Sequence, residues 1–260
     1  MNICIEHRTD EKSKEVFEEV TRRITNLGHQ LVSDHPDLVI TIGGDGTMLH
    51  AIHTYLEKNQ HPKFVGIHTG TLGFFTDYES SELDAFFNDF NQEPKVNKVR
   101  LLEADIEYND GRPMRKIFAL NEIRVENILQ TQLLDVYIDD AFLERFRGNG
   151  LCVSGQIGST AYNRSIQGAI IDDSLEAIQL TEISGIHHKH YRSLNSPLVL
   201  NAHKEVVLRS DTFEKAMMVY DHLYIDLFNV KKVGIHLSQR VVQFARFRNY
   251  SYFARLRNLF

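Results

Sequence analysis

Apolar positions along the chain change their period at one clear boundary. NICI (2–5) is a short apolar run, and after it Val16, Val20, Ile24 and Leu27 fall at i, i+4, i+8 and i+11. That is one helical stripe, and Gly28 is placed to stop it. DLVITI (37–42) is apolar almost throughout, the texture of a parallel strand covered on both faces. Met48, Leu49, Ile52, Tyr55 and Leu56 form a second helical stripe, and KFVGI (63–67) reads as a further strand. SSELDAFFNDF (80–90) predicts a third helix, with Ser81 and Asp84 spaced as a capping box. Residues 1 to about 95 therefore predict alternating β and α around an open parallel sheet.

After Pro94 the period falls to two. LLEADIEYNDGRPMRKIFAL (101–120) alternates and turns at Asp110-Gly111, a hairpin signal. LLDVYIDDAFLERF (133–146) repeats the form with a turn at Asp139-Asp140. The stretch to about 235 is mostly β, with one helix expected around Ser174 to Ser184. VVQFARF (241–247) reads as a strand and the last turns as a helix. The expectation is an α/β domain over 1–100, completed by 236–260, and a β-rich domain over 101–235.

Composition narrows the classes. With 260 residues, 42% apolar and 25% charged, the chain can bury a real core. A net charge of −6 argues against a general binder of nucleic acid or of membrane surfaces, while leaving room for a local anion site. The two cysteines, Cys4 and Cys152, form no ligand set and read as free thiols of a reducing compartment. NICIEHRTDE after Met1 has no basic leader, and no apolar run is long enough to span a membrane, so a cytoplasmic location is expected.

LVITIGGDGTMLHAI (38–52) carries the chemistry. A strand that ends in glycines and feeds a helix presents backbone N–H groups and a helix dipole to an anion. It is not a P-loop, having no Gly-Lys-Ser/Thr end, and GGDGTM lacks the third glycine of the dinucleotide fingerprint. Asp45 stands among these glycines, where a carboxylate would repel phosphate. It could accept a proton from an attacking hydroxyl, hold a magnesium ion that bridges phosphates, or cap the helix at Thr47.

Further along come GTLGFF (70–75), ALNEIRV (119–125), ERFRGNGL (144–151) and GSTAYNRS (158–165). In that order, with GGDGT, they resemble the NAD kinase family over nearly the whole chain. EAIQLTEIS (176–184) and FARFR (244–248) resemble its Gram-positive branch. The resemblance implies a Rossmann-like α/β domain with a GGDG phosphate loop, a β-sandwich domain, and a chain end returning to the first domain. It implies transfer of phosphate from ATP to the 2′-hydroxyl of the adenosine ribose of NAD, with Mg2+, in a homo-oligomer, a tetramer of paired dimers. Asp45 would be the general base, with Gly44 and Gly46 admitting phosphates and His50 standing where relatives often carry a basic residue. Phe74 would line the adenine side, and Asn121 and Glu122 would hold the ribose. Thr160, Ala161, Tyr162 and Ser165 would form the dinucleotide pocket, with Ser184 in the Gram-positive stretch beside it. Arg147 would reach a site across a subunit interface, Asn149 would meet the nicotinamide end, and Asp221-His222 would lie near the phosphates.

Four places depart from that family. Asn149 stands where Asp is usual, and SGQIGSTAY (154–162) where STPTGSTAY is usual. QGA (167–169) replaces GGA, and DDS (172–174) replaces HPS. Two other readings follow: a non-catalytic NAD(P)-binding sensor, which would bind without turnover, and a lipid kinase that shares only GGDGT. HHKH (187–190) invites a zinc reading, but lacks the Cys or carboxylate partners that zinc geometry requires. FARFRNYSYFARLR (244–257) interleaves Arg and aromatics, which a docked strand and terminal helix explains better than nucleic acid on an acidic chain.

Overall fold

A computed structural model describes residues 1–70, 73–187, 193–249, 251–257 and 259. The chain forms two compact units, Met1–Val99 with Val241–Phe260 and Arg100–Arg240.

The first unit opens with β1 (Asn2–His7), α1 (Glu11–Asn26), β2 (Gln30–Leu31), β3 (Leu38–Ile42), α2 (Asp45–Glu57), β4 (Lys63–His68), β5 (Tyr78–Glu79) and α3 (Leu83–Phe90). β2, β1, β3 and β4 are parallel neighbours in that order, with Ile3 opposite Leu38 and Ile40 opposite Val65. Every residue of β3 is buried, as a strand covered on both faces requires. Asp10 caps α1 by accepting the Ser13 N–H at 3.2 Å, and Val16, Val20 and Ile24 bury its stripe. Leu27 does not continue that stripe: it is the C-terminal cap residue and 45% exposed. The expected Ser81–Asp84 box is also displaced. A 3-10 turn over Ser80–Glu82 precedes α3, and the box is Glu79 with Glu82, whose Oε2 accepts the Glu79 N–H at 2.9 Å. Asp84 thereby lies already inside α3, where its Oδ1 accepts from Arg23 Nη1 at 2.5 Å.

The second unit is antiparallel. Its strands are β6 (Lys95–Tyr108, from Arg100 onward), β7 (Arg115–Ala119), β8 (Glu122–Glu126), β9 (Gln132–Ile138), β10 (Ala141–Gly148) and β11 (Gly150–Gly155). After the short helix α4 (Tyr162–Ser165) follow β12 (Ala177–Ile183), β13 (Leu198–Asn201), β14 (Val206–Arg209), β15 (Met217–Tyr220), β16 (Leu223–Asp226) and β17 (Val230–Arg246). One sheet runs β13-β12-β11-β8-β15-β16. Facing it are β10-β9-β14-β17 and the β6–β7 hairpin. Ile123, Val125, Leu151, Val153 and Leu180 from one layer share a core with Leu134, Val136, Leu208 and Ile235 from the other, a β-sandwich. The helix expected around 174–184 is strand β12. Cys152 pairs with Thr181 on one side and Leu200 with Ile178 on the other, and six of its seven residues are buried. Pairing on both sides at Ile178, Gln179 and Leu180 overrides the local helical spacing.

The end of β17 returns to the first unit, where Gln243 and Phe244 lie parallel to Lys63 and Phe64 of β4. α5 (Tyr252–Arg257) follows. No helix among the described residues is long and apolar enough to cross a membrane.

Candidate active site

In the first unit, the glycine loop links β3 to α2. Gly43 has φ +155°, and a Cβ there would stand 2.2 Å from Thr47 Oγ1, so both backbone and space demand glycine. Gly44 is the N-terminal cap, and Asp45 is the first residue of α2. A Cβ on Gly44 or Gly46 would meet nothing within 4 Å, so both backbones face open space.

The Asp45 carboxylate does not cap Thr47. Its Oδ2 accepts the Phe74 N–H at 2.9 Å and its Oδ1 the Phe75 N–H at 3.0 Å. A Cβ on Gly73 would stand 2.1 Å from Asp45 Oδ1, so the loop after β4 can approach only because that residue is glycine. Thr71 and Leu72 of the GTLGFF stretch lie outside the described residues. Phe74 is half-buried, with its ring 6.2 Å from that of Tyr252, whereas Phe75 is buried and stacked on Phe244 at 5.7 Å. His50 is exposed on α2, five residues beyond Asp45.

Three arginines of the chain end serve this unit internally. Arg246 and Arg255 both donate to Asp77 Oδ1, at 2.6 and 2.7 Å, in a buried cluster. Arg255 also donates to the Gly73 carbonyl at 2.6 Å and to the Thr76 carbonyl. Arg248 lies 3.8 Å over the Tyr78 ring and pairs with Glu82 at 3.1 Å. The alternation of Arg and aromatics is thus packing of the returning segment.

In the second unit, Asn121 directly precedes β8 and Glu122 opens it, and they are 8% and 5% exposed. Asp221 sits in the β15–β16 turn at φ +50°, with His222 beside it. Its carboxylate accepts the Leu120 N–H at 2.8 Å and the Asn121 N–H at 2.7 Å, and its own N–H donates to the Glu122 carbonyl at 3.1 Å. The GST turn is pressed against the same segment. A Cβ on Gly158 would stand 1.8 Å from the Asn121 carbonyl oxygen, which itself accepts the Gly155 N–H at 3.2 Å. Ser159 Oγ donates to the Gln156 carbonyl at 2.6 Å and accepts the Ile171 N–H at 3.1 Å. Thr160 and Ala161 lead into α4, where Tyr162 is half-buried and Ser165 Oγ donates to the Tyr162 carbonyl at 2.7 Å.

Burial drives the Glu122 carboxyl up to about 7, the nearby Asp221 charge adds to this, and Arg124 opposes it. Glu122 Oε2 is buried without a hydrogen-bond partner. Arg124, which sequence reasoning passed over, lies with its guanidinium 3.9 Å over the Tyr162 ring. The period of two from Glu122 was the available signal.

Arg147, Asn149 and Ser184 form a separate group around the β10–β11 link. Asn149 is exposed, its N–H donates to the Ile183 carbonyl at 3.0 Å, and the Ile186 N–H donates to the Arg147 carbonyl at 2.7 Å. Ser184 is exposed at φ +49°. His187 bonds Ser193 at 2.9 Å, while His188, Lys189 and His190 lie outside the described residues. Among the described residues, one group has the spacing to hold a metal ion: Glu103, Asp105 and His236. The Lys116 ammonium already sits 2.5 Å from Glu103 and 2.8 Å from Asp105.

Comparison with known proteins places this geometry in a family. Residues 2–95 match the model of the ATP-NAD kinase N-terminal domain and residues 120–247 that of the ATP-NAD kinase C-terminal domain. The NAD kinase of Geobacillus stearothermophilus is 38% identical over 258 residues, covering 99% of this chain and 95% of that one. The NAD kinase of Enterococcus faecalis is 36% identical over 262 residues, covering 100% and 98%. Yeast NADH kinase complexed with NADH superimposes with a TM-score of 0.84 at 19% identity, covering 100% of this chain and 86% of that one. The Archaeoglobus fulgidus NAD kinase in complex with ATP gives 0.79 at 22%, covering 99% of each. At those identities the two structures speak for the fold, and the full-length sequence matches speak for descent. The chain belongs to the ATP-NAD kinase family.

Proposed function

We propose that the protein is an NAD kinase, transferring the γ-phosphoryl group of ATP to the 2′-hydroxyl of the adenosine ribose of NAD. The observation that carries the mechanism is Asp45: two consecutive backbone amides fix both carboxylate oxygens at a helix N-terminus flanked by open glycine backbone. Each oxygen keeps a further lone-pair direction for a proton. Asp45 takes the 2′-hydroxyl proton as that oxygen bonds to the γ-phosphorus. The bond from the γ-phosphorus to the β–γ bridging oxygen breaks and ADP departs. Gly44 and Gly46 bring N–H groups to the phosphates, with His50 on the same helix, and Phe74 offers a half-buried ring to adenine. Asn121 and Glu122 orient the ribose, with Thr160, Ala161, Tyr162 and Ser165 around the dinucleotide. Asp221 supports that segment through the two amides it accepts, and His222 beside it would lie near the phosphates.

Magnesium fits this reading as a companion of ATP. The glycine loop offers one carboxylate, and Mg2+ is commonly held by one or two carboxylates together with substrate phosphates. When bound, it neutralises charge on the transferring phosphoryl group. A homo-oligomer belongs to the same reading. Arg147 would reach a neighbouring subunit's site from β10, an edge strand that exposes Phe142 and Leu143, while Asn149 would meet the nicotinamide end and Ser184 would lie beside the dinucleotide pocket. The two free cysteines suit the cytoplasm.

The test is NADP formation by the purified protein with ATP, magnesium and NAD, beside Asp45→Asn. Turnover that vanishes in the variant while NAD still binds supports the reading. Binding without turnover in the wild-type protein would assign the sensor role instead.

A further inference from the structure

The face of β8 that begins with Glu122 continues through Arg124 to Glu126, since alternate residues of a strand share a face. Ile123 and Val125 point the other way, into the sandwich core. Arg124 is tied down from one side: its Nη1 donates to both oxygens of Glu126, at 3.1 and 3.0 Å. Its guanidinium then lies 3.9 Å over the Tyr162 ring. The guanidinium is thus held at its edge by the Glu126 carboxylate and lies over the ring of the half-buried Tyr162. Arg124 Nε is buried without a partner, and so is Glu122 Oε2. A buried donor and a buried acceptor left unmatched on one strand face are costly to fold, which points to a use beyond stability.

We propose that Arg124 is a positioning residue for the acceptor nucleotide, backing the Tyr162 ring as a stacking platform and compensating the charge of Glu122. The proposal rests on the NAD kinase reading, since it takes Tyr162 and Glu122 as parts of the dinucleotide pocket. Arginine suits the first task because its planar group packs flat on an aromatic face, which an ammonium does not. For the second task, the groups that face Glu122 are few. Asp221 from the β15–β16 turn repels it, the buried Ser154 lies directly opposite it on β11 with Cys152 opposite Arg124, and the Tyr162 backbone N–H from α4 favours its ionised form. Arg124 is the cation set against Asp221, and Glu126 on the same face is already bound to it.

The experiment is NAD binding by titration calorimetry without ATP, from about pH 5.5 to about pH 8.5, for the wild type, Arg124→Gln and Arg124→Lys. Wild-type affinity rises with pH as Glu122 ionises around 7. Arg124→Gln should weaken binding roughly three- to tenfold at the upper end and move the pH midpoint upward. Arg124→Lys should return the midpoint toward the wild type while leaving the upper plateau weakened, because the charge is kept and the flat contact is lost. A purely structural role would lower the unfolding temperature and leave the midpoint in place. Midpoints and affinities equal to wild type in both variants overturn the proposal. Wild-type protein that neither binds NAD nor forms NADP would overturn the kinase reading instead.

Discussion

The Arg255 guanidinium holds the Gly73 carbonyl at 2.6 Å, one residue before the amide that binds Asp45. A side chain of the terminal helix therefore fixes the loop whose two N–H groups orient the proposed base. The same guanidinium bonds the Thr76 carbonyl and Asp77, so one planar fork holds three residues of that loop.

Arg255→Ala should accordingly lower kcat by roughly ten- to a hundredfold, since small misplacements of a reacting group cost about that much. KM for NAD should change less than kcat, because the Gly73 carbonyl that Arg255 holds shares its peptide bond with the amide that fixes Asp45. Arg255→Lys should recover only part of the rate, a point charge being unable to bridge two carbonyls and a carboxylate at once. Steady-state kinetics on both variants, with thermal melts to confirm folding, decides the matter. A loss confined to KM would refute the relay.

Asp221 plays a similar part in the second unit. Its carboxylate accepts two consecutive amides, from Leu120 and Asn121, and so sets the turn into Glu122. Asp221→Ala leaves both N–H groups without their acceptor and should destabilise the protein by roughly 1–3 kcal/mol. NAD affinity should fall with it. Chemical denaturation and NAD titration measure the two effects, and an unchanged NAD affinity would leave Asp221 with a purely structural role.

The contrast between these residues shows what could be read from sequence. The parallel sheet, the sandwich strands and the glycine loop were legible because each is written in local period or local spacing. GGDG, NE and GSTAYN were legible as motifs, but not what holds them. Phe74 and Asp45 are joined across 29 positions, Arg255 and Gly73 across 182, and nothing in the local pattern records such pairings. The helix expected around 174–184 failed for the same reason. β12 is a strand because β11 and β13 flank it, and those partners are distant in sequence.

Gln167 is a residue whose cost can be checked directly. It stands at φ +65°, exposed, where the family pattern has glycine. A non-glycine residue in the left-handed region costs roughly 1–2 kcal/mol, partly offset by the greater freedom that glycine has when unfolded. Gln167→Gly should therefore stabilise the protein by up to about 1 kcal/mol, seen as a higher denaturation midpoint at unchanged slope. A lower midpoint would mean that the glutamine side chain makes up for its backbone.

Glu122 links function to stability through pH. Its carboxyl is pushed from 4.5 to about 7 in the folded protein, chiefly by burial. The folded state therefore binds the proton more tightly than the unfolded chain does. Between these two values the folded protein holds more protons, so stability falls as pH rises through that window and levels off above about 7. The full loss is on the order of 3 kcal/mol, from about 1.4 kcal/mol per pKa unit. Glu144, also raised to about 7 by burial and by the facing Glu182, adds to the loss with the same sign. Glu122→Gln should consequently raise stability at pH 8 while leaving it nearly unchanged at pH 4, and should weaken NAD binding by replacing one of two charged acceptor oxygens for the ribose hydroxyls with an NH2 donor. Denaturation curves at the two pH values test the first claim. Equal effects of Glu122→Gln at both would show that the burial of its charge costs the fold nothing.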